Sequence, residues 1–254
     1  MGVATLAIAV LIFLVCLYTL HKVRNMHLLV HSMRDELQAE IRNSYDQLEH
    51  MHGLHVDLGL TKSLPGTRGW AASPDFLAEL VRYALGEKPA TVVECSSGTS
   101  TVVLARCMQI NGGGKVYSLE HDPVYAAKTR AQLARHGLGA FAEVIDAPMD
   151  QITFNGESWQ WYAHAGLPQL LDIDMLVIDG PPESTGRLAR YPAGPALFPK
   201  LAQGAVVLLD DANRGSEAEI LQRWKSEFPE LSQSMAFCEK GCAVIKKQAP
   251  VFAT

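Results

Sequence analysis

Short apolar segments alternate with helix-forming segments between residues 74 and 247, and this alternation restricts the fold more than any other feature of the sequence. Apolar strands that alternate with helices are typical of a parallel sheet with both faces covered. The pattern predicts strands over residues 91–95, 115–119, 141–146, 174–179, 203–209, 233–238 and 242–247. It predicts helices over residues 74–86, 99–110, 123–136, about 166–171, 187–201 and 215–227.

The last two predicted strands are joined by the three residues "EKG", which is a spacing typical of a hairpin. We therefore expect the final strand to run antiparallel. The predicted fold class is α/β. It consists of a Rossmann-like, doubly wound seven-stranded sheet with an antiparallel last strand, preceded by an N-terminal transmembrane helix.

The transmembrane prediction comes from residues 3–20, which carry no charged side chain. A helix of this length spans about 27 Å, close to the thickness of a bilayer core. Lys22 and Arg24 follow the apolar run, which favours a cytoplasmic location for the rest of the chain. A cleaved signal peptide is the alternative, but no basic residue precedes the run and no small-residue cleavage site follows it. We expect a single-pass anchor in the cell (inner) membrane.

The anchor is followed by a predicted amphipathic helix over residues 25–52. Its apolar side chains recur at spacings of three and four residues, at Met33, Leu37, Ile41, Tyr45, Leu48 and Met51. This face either packs on the chain's own domain or pairs with a second copy, so a homodimer through residues 25–52 is one expectation. The segment "SLPGTRG", residues 63–69, is predicted to be a linker.

Charge and cysteine content exclude some classes of partner. The net charge is −5 and no basic block occurs, so we expect no nucleic-acid partner. The chain has five cysteines and no C-x-x-C motif, which argues against a disulfide framework or a structural zinc site.

The loop after the first predicted strand, "ECSSGTS", indicates a cofactor site. A strand, a loop of small residues and a helix form the usual cradle for a nucleotide-type cofactor. The dinucleotide fingerprint needs three glycines, whereas this loop has only Gly98. Glu94 ends the strand where a pyrophosphate would lie, and its charge would repel phosphate but attract an ammonium or a sulfonium.

Two further acids end the next two predicted strands. Glu120 is placed to accept hydrogen bonds from ribose hydroxyls, and Asp146 is placed to meet an adenine amino group. A cofactor with adenosine, a positive charge and no phosphate fits these acids, and S-adenosylmethionine is such a cofactor. The loop would bind its carboxylate through backbone N–H groups and hydroxyls. The predicted cofactor site comprises Glu94, Ser96, Ser97, Gly98, Thr99, Ser100, Glu120, His121, Asp146 and Ala147.

The segments "VVECSSGTSTVVLA", "VYSLEHD", "EVIDAP", "DMLVIDGPP" and "GAVVLLDDANR" resemble successive motifs of class I S-adenosylmethionine-dependent methyltransferases. The resemblance is strongest to the branch with E-x-G-S-G-x-S-T in its first loop and D-G-P-P after its fourth strand. Ser96 departs from this pattern, because the family usually has glycine there. The expected organisation is a membrane anchor over residues 1–22, an amphipathic helix and linker over 23–64, and a methyltransferase domain over 65–254.

The acids after the fourth and fifth predicted strands are candidates for the chemistry. Asp179, Asp211 and Asn213 carry oxygen ligands suited to Mg²⁺ or another divalent cation, and they resemble the metal site of catechol-type O-methyltransferases. Ala212 separates Asp211 from Asn213, which departs from that site. The alternative is that Asp179 or Asp211 acts as a metal-free base or substrate anchor.

Residues 154–169 form an aromatic insertion, predicted to be a lid, an acceptor wall or a separate hydrophobic cluster, and His164 within it is a candidate base. Arg187 and Arg190 either hold an anionic acceptor or lie on the surface.

We therefore expect a membrane-anchored methyltransferase that acts on oxygen of a small-molecule, glycan or lipid-linked acceptor. The alternatives are an NAD(P)-binding oxidoreductase and a non-catalytic Rossmann-like scaffold protein at the membrane.

Overall fold

A computed structural model describes residues 2–163 and 172–247 of the chain. The predicted helix at about 166–171 and the candidate base His164 lie outside the described residues. The chain divides into two compact units, Met1–Asp46 and Gln47–Thr254.

The first unit consists of one helix segment. Helix α1 is continuous over Gly2–Asp57, and its side chains up to residue 42 are exposed. Near its N-terminus α1 is long and apolar enough to cross a membrane, although a signal sequence has the same length and composition.

The second unit is an α/β domain around a seven-stranded sheet with the order β3-β2-β1-β6-β7-β9-β8. The strands are β1 Thr91–Cys95, β2 Lys115–Glu120, β3 Ala142–Asp146, β4 Met149–Phe154, β5 Glu157–Tyr162, β6 Ile173–Ile178, β7 Leu201–Leu209, β8 Leu231–Ala236 and β9 Cys242–Lys247. The helices are α2 Pro74–Glu87, α3 Thr99–Asn111, α4 Pro123–His136, α5 Ala193–Leu197 and α6 Gly215–Glu227. β9 runs antiparallel to both β7 and β8, which confirms the predicted fold class.

The sheet separates two hydrophobic clusters because successive strand side chains point to opposite faces. Val92 of β1 belongs to the cluster beneath α2, α3 and α4, whereas Val93 belongs to the cluster beneath α5 and α6. Leu54 and Leu58, at the end of α1 and just beyond it, are 2% and 1% exposed in the first of these clusters. The last turns of α1 are therefore part of the core of the second unit.

The structure differs from the sequence prediction at two elements. The helix predicted over 187–201 was wrong, because only α5 and one 3-10 turn, Phe198–Lys200, form there. Pro192, Pro195 and Pro199 lack the N–H that a continuous helix needs. A separate hairpin of β4 and β5 was not predicted, although its turn is "NG", with Asn155 at φ 52° and Gly156 at φ 80°.

Candidate active site

A cavity of about 630 Å³ lies at the carboxyl ends of the parallel strands. The strand order reverses between β1 and β6, so the cavity occupies the switch point where open α/β sheets bind ligands. The loop after β1 lines the cavity with Ser96, Ser97, Gly98, Thr99 and Ser100. All five of these loop residues were predicted from the sequence to bind a cofactor.

Side-chain hydrogen bonds hold the loop after β1 in place. The Ser97 hydroxyl donates to Glu120 Oε2 at 2.9 Å, and the Gly98 N–H donates to Thr101 Oγ1 at 3.0 Å. Ser96 replaces the glycine of the family pattern and has φ 126°, a conformation that disfavours a side chain. Gly180 leaves room for the Ser96 side chain. A Cβ added at Gly180 would lie only 3.1 Å from the Ser96 Cβ.

Glu120, at the end of β2, is the acid that best fits the predicted role in cofactor binding. Its carboxylate lines the cavity and accepts a hydrogen bond from the Asp122 N–H at 3.0 Å, in addition to that from Ser97. His121 also lines the cavity, and its Nδ1 lies 3.1 Å from Glu120 Oε1. A carboxylate fixed in this way on a cavity wall can accept hydrogen bonds from ribose hydroxyls.

Glu94 does not line the cavity, contrary to its predicted contact with the cofactor's positive charge. Its side chain points to the same face of the sheet as that of Val92, and therefore lies beneath the start of α3. Glu94 Oε2 accepts hydrogen bonds from Ser118 at 2.5 Å and Thr101 at 2.6 Å. Burial raises the pKa of this carboxyl group. Glu94 thus braces the loop through Thr101, which also accepts the Gly98 N–H.

Asp146 and Ala147 also lie outside the cavity lining. The Asp146 side chain is 64% exposed and pairs with Arg130 at 2.9 Å. Ala147 is buried and donates its N–H to the Glu120 carbonyl at 2.8 Å, which fixes the chain after β3 against the end of β2.

The start of α4 lines the same end of the cavity with side chains that the sequence analysis did not consider, namely Asp122, Tyr125, Lys128, Thr129 and Gln132. Tyr125 is 49% exposed, so its ring offers an apolar surface to a ligand. The sequence did contain a signal for them: these residues follow Glu120, the acid that ends β2, and they recur at helical spacing.

Three carboxylates meet near the other end of the cavity, which Asp179 and Asp211 line and Asp210 does not. Ligand oxygens of Asp179, Asp210 and Asp211 lie within 4.8 Å of one another, since β6 and β7 are adjacent parallel strands. Among the described residues, both carboxylate oxygens of Asp210 and Oδ1 of Asp211 are buried without a hydrogen-bond partner. Burial raises the pKa of Asp179 to about 6 and that of Asp210 to about 8. We call these three residues the acid cluster.

Arg190 supplies a buried positive charge to the acid cluster. Its Nη2 lies 2.7 Å from Asp211 Oδ2 and 3.3 Å from Asp179 Oδ1. Its Nη1 donates to the Asp210 carbonyl oxygen at 2.7 Å, so the guanidinium fixes the strand ends themselves. The sequence analysis offered an anionic acceptor or the surface as the environment of this arginine, whereas the structure pairs it with carboxylates. Arg187, by contrast, is exposed and pairs with Glu219 at 2.6 Å.

Asn213, which was predicted as a ligand with Asp179 and Asp211, does not line the cavity. Asn213 is exposed and its side chain packs against Gly241, where an added Cβ would lie 2.5 Å from the Asn213 amide. Asp210 occupies the place next to Asp211 instead. Three carboxylates, of which Asp210 and Asp211 have buried oxygens without a partner among the described residues, suit a hard divalent cation such as Mg²⁺.

The remaining walls come from the β4–β5 hairpin and the loop before α2. Trp159 and Trp161 are buried in the core, whereas Tyr162 also lines the cavity and its buried hydroxyl has no partner among the described residues. Trp70 of the loop before α2 lines the cavity with 78% of its surface exposed. Lys240 lines it too and donates to the Ala71 carbonyl at 3.4 Å.

Comparisons with known proteins agree with this architecture. A family described as "Methyltransferase domain" matches residues 93–212. No curated protein matches the chain in sequence.

Solved structures of methyltransferases share the fold. SAH-bound PaMTH1 of Podospora anserina has a TM-score of 0.55 and 16% identity, over 80% of this chain and 88% of that chain. The O-methyltransferase TomG of Streptomyces achromogenes, in complex with SAM, has a TM-score of 0.53 and 15% identity, over 80% and 90%. An O-methyltransferase of Bacillus cereus, in complex with SAH, has a TM-score of 0.51 and 18% identity, over 80% and 91%. The matched domain and the shared fold are consistent with a class I S-adenosylmethionine-dependent methyltransferase family.

Proposed function

We propose that the chain transfers a methyl group from S-adenosylmethionine to an oxygen of its acceptor. The observation that carries this proposal is that one cavity joins the loop after β1 to the acid cluster. The end at the loop after β1 can hold an adenosyl cofactor. The end at the acid cluster offers carboxylates that can accept a proton from the acceptor. Similar structures include O-methyltransferases, which supports oxygen as the acceptor atom.

In the proposed complex, Glu120 accepts hydrogen bonds from the ribose hydroxyls of the cofactor. The backbone N–H groups at the start of α3 face the methionine carboxylate, because a helix N-terminus favours an anion. Tyr125 and His121 present ring surfaces to the adenine. Glu94 supports the site from below by fixing Thr101 and hence Gly98.

The transfer step is an in-line displacement. A bound S-adenosylmethionine would supply the methyl group: the acceptor oxygen would bond to the methyl carbon as the bond from that carbon to the sulfonium sulfur breaks, which would leave S-adenosylhomocysteine. The acceptor hydroxyl must lose its proton, and Asp179 is a candidate base beside the cofactor loop, since its N–H donates to the Cys95 carbonyl at the end of β1 at 3.2 Å.

We further propose that Asp179, Asp210 and Asp211 hold a divalent cation. A bound cation would lower the pKa of an acceptor hydroxyl at this end of the cavity. Arg190 occupies Asp211 Oδ2 and Asp179 Oδ1, which leaves Asp211 Oδ1 and both oxygens of Asp210 for a ligand. Arg190 therefore orients two of the carboxylates without saturating them.

The N-terminal part of α1 supports a membrane location for this activity. We propose that residues 3–20 anchor the chain with the second unit in the cytoplasm, where it meets a small-molecule, glycan or lipid-linked acceptor. Lys22 and Arg24, directly after the apolar run, favour this orientation.

Two strand-end acids provide a matched test of the cofactor site. We expect Glu120→Ala, measured by calorimetry on the full chain in detergent micelles, to weaken S-adenosylhomocysteine binding at least about tenfold, since it removes a hydrogen-bonded carboxylate. Asp146→Ala is the control, because Asp146 ends the neighbouring strand but points away from the cavity. Equal loss in both variants, or no loss in Glu120→Ala, would contradict the assigned site.

A further inference from the structure

Tyr162 carries a buried hydroxyl that has no hydrogen-bond partner among the described residues. The residue ends β5 and is 2% exposed, and within the β4–β5 hairpin it is the one whose side chain lines the cavity. Burying a hydroxyl without a partner destabilises a fold, so most buried hydroxyls have one. A molecule bound in the cavity can supply the partner that the described chain does not.

The hydroxyl lies between the loop after β1 and the end of β6. A Cβ added at Gly180, two residues after β6, would lie 2.6 Å from the Tyr162 hydroxyl oxygen. The same Cβ would lie 3.1 Å from both the Cys95 carbonyl oxygen and the Ser96 Cβ, where β1 ends and its loop begins. The Tyr162 ring also meets the His121 ring, with centroids 6.2 Å apart. These contacts place the hydroxyl in the middle of the cavity.

The hydroxyl is neutral, and the charges near it are net negative. Burial raises the pKa of Tyr162 well above its ordinary value, and the charges of Glu120 and Asp179 act in the same direction. Arg190 opposes these two carboxylates without reversing the shift. At pH 7 the group is therefore an O–H whose oxygen offers lone pairs. Two carboxylates against one guanidinium favour a positively charged group beside it.

We propose that the Tyr162 hydroxyl oxygen contacts the sulfonium methyl group of S-adenosylmethionine and holds it between the loop after β1 and Asp179. This inference rests on the proposed function, in which the ribose lies at Glu120 and the acceptor at the acid cluster. The sulfonium then lies between the two, beside Tyr162. The C–H groups next to a positive sulfur are polarised and attract an oxygen lone pair. The sequence analysis gave the attraction of this charge to Glu94, and here Tyr162 takes that role.

A neutral hydroxyl suits this position better than a carboxylate would. A carboxylate that faces the methyl group could attack the methyl carbon and become methylated itself, because carboxylates can act as nucleophiles. A protonated phenol is a much weaker nucleophile. Tyr162 can therefore orient the methyl group without competing with the acceptor.

The two sulfur compounds test this contact by binding alone. S-adenosylmethionine carries the sulfonium charge and the methyl group, and S-adenosylhomocysteine carries neither. In calorimetric titration of the full chain in detergent micelles, Tyr162→Phe should weaken binding of S-adenosylmethionine by about two- to fivefold and leave that of S-adenosylhomocysteine unchanged. Tyr125→Phe is the control, since Tyr125 lines the adenine end of the cavity and adenine is common to both compounds. Any effect of this control should be equal for the two.

Thermal unfolding without ligand tests whether the chain itself uses the hydroxyl. Tyr162→Phe should not lower the melting temperature, because it removes an unpaired buried group. Tyr191→Phe should lower it, since the equally buried Tyr191 donates its hydroxyl to Glu227 at 2.9 Å.

A lowered melting temperature of Tyr162→Phe would overturn the inference. So would equal weakening of both sulfur compounds, or no weakening of either. Absence of binding to the unsubstituted chain is a different failure, because it would contradict the cofactor proposal on which the role of Tyr162 rests.

Discussion

At the scale of single residues, Arg190 is the side chain on which the acid cluster depends most. It is 4% exposed and offsets the charges of Asp179 and Asp211. Arg190→Met should lower the free energy of unfolding by about 3–5 kcal/mol, because it removes the buried positive charge beside Asp179 and Asp211 and leaves Asp211 only the half-exposed Arg214 as a partner. Chemical denaturation of the full chain measures this change.

Arg187→Met is the matched control for this substitution. Arg187 pairs with Glu219 on the surface, where both side chains are largely exposed. An exposed ion pair contributes at most about 1 kcal/mol. Equal destabilisation by the two substitutions would show that Arg190 is not the buried counter-charge described above.

Asp210 and Asn213 allow the cation proposal to be tested residue by residue. Asp210→Asn should abolish or strongly weaken Mg²⁺ binding, since it removes a charge from the three-carboxylate group. Asn213→Ala should leave Mg²⁺ affinity unchanged, because its exposed side chain packs against Gly241. Calorimetric titration with Mg²⁺ distinguishes them, and the reverse ranking would restore the ligand set predicted from the sequence.

The sequence predicted which strands end in acids but not where each acid points. Glu94, Glu120 and Asp146 were assigned alike, yet only Glu120 lines the cavity. Side-chain direction depends on strand register: Glu94 points beneath α3, and Asp146 reaches Arg130 of α4. The sequence of a single strand does not show which element its last side chain will face.

At the scale of elements, Asp75 joins three parts of the second unit. Its carboxylate accepts hydrogen bonds from Gln47 of α1 at 2.9 Å and from Phe76 N–H of α2 at 2.8 Å, and also from the N–H of Glu239, which lies between β8 and β9. Burial raises the pKa of Asp75, but hydrogen bonds from Ser73, Glu239, Gln47 and Phe76 outweigh this effect and lower the pKa below 3.8.

A lowered pKa in the folded state means that the Asp75 carboxylate stabilises the fold above pH 4 and that this stability is lost as the pH falls through the folded-state pKa. Asp75→Asn should therefore lower stability at pH 7 and flatten the decline of stability below pH 4. Denaturation midpoints between pH 7 and pH 2.5 measure both effects. An unchanged acid profile would show that Asp75 does not couple these elements.

Helices with a regular apolar face were predicted correctly. The segment interrupted by prolines and the hairpin closed by a two-residue turn were not. Helices α3, α4 and α6 begin where predicted, because each apolar face is regular and uninterrupted. The helix predicted over 187–201 failed because three prolines outweigh its apolar content. The β4–β5 hairpin was missed because its aromatic residues were read as a loop, although Asn155 and Gly156 formed a recognisable turn.

At the scale of the whole molecule, the boundary between the two units lies inside α1, between Asp46 and Gln47. The sequence analysis began the methyltransferase domain at residue 65, at a linker rich in glycine and proline. Apolar periodicity continues through α1 without a break, so the sequence contains no signal at residue 46. The division is set by packing, since Leu54 and Leu58 enter the core and Arg106 donates to the Leu58 carbonyl at 2.8 Å.

Two truncations test this boundary. Residues 47–254 should be well folded, whereas residues 65–254 should lose several kcal/mol of stability, because loss of each buried leucine costs about 2–5 kcal/mol. Thermal unfolding followed by circular dichroism compares the two. Equal melting temperatures would mean that the end of α1 does not contribute to the core.

The identity of the cofactor separates a methyltransferase from an oxidoreductase, and calorimetric titration of the full chain in detergent micelles with S-adenosylmethionine, S-adenosylhomocysteine and NADH determines it. A loop with one glycine and a carboxylate at Glu120 should bind the first two at micromolar concentrations and should not bind NADH. Binding of NADH without binding of either sulfur compound would contradict the account.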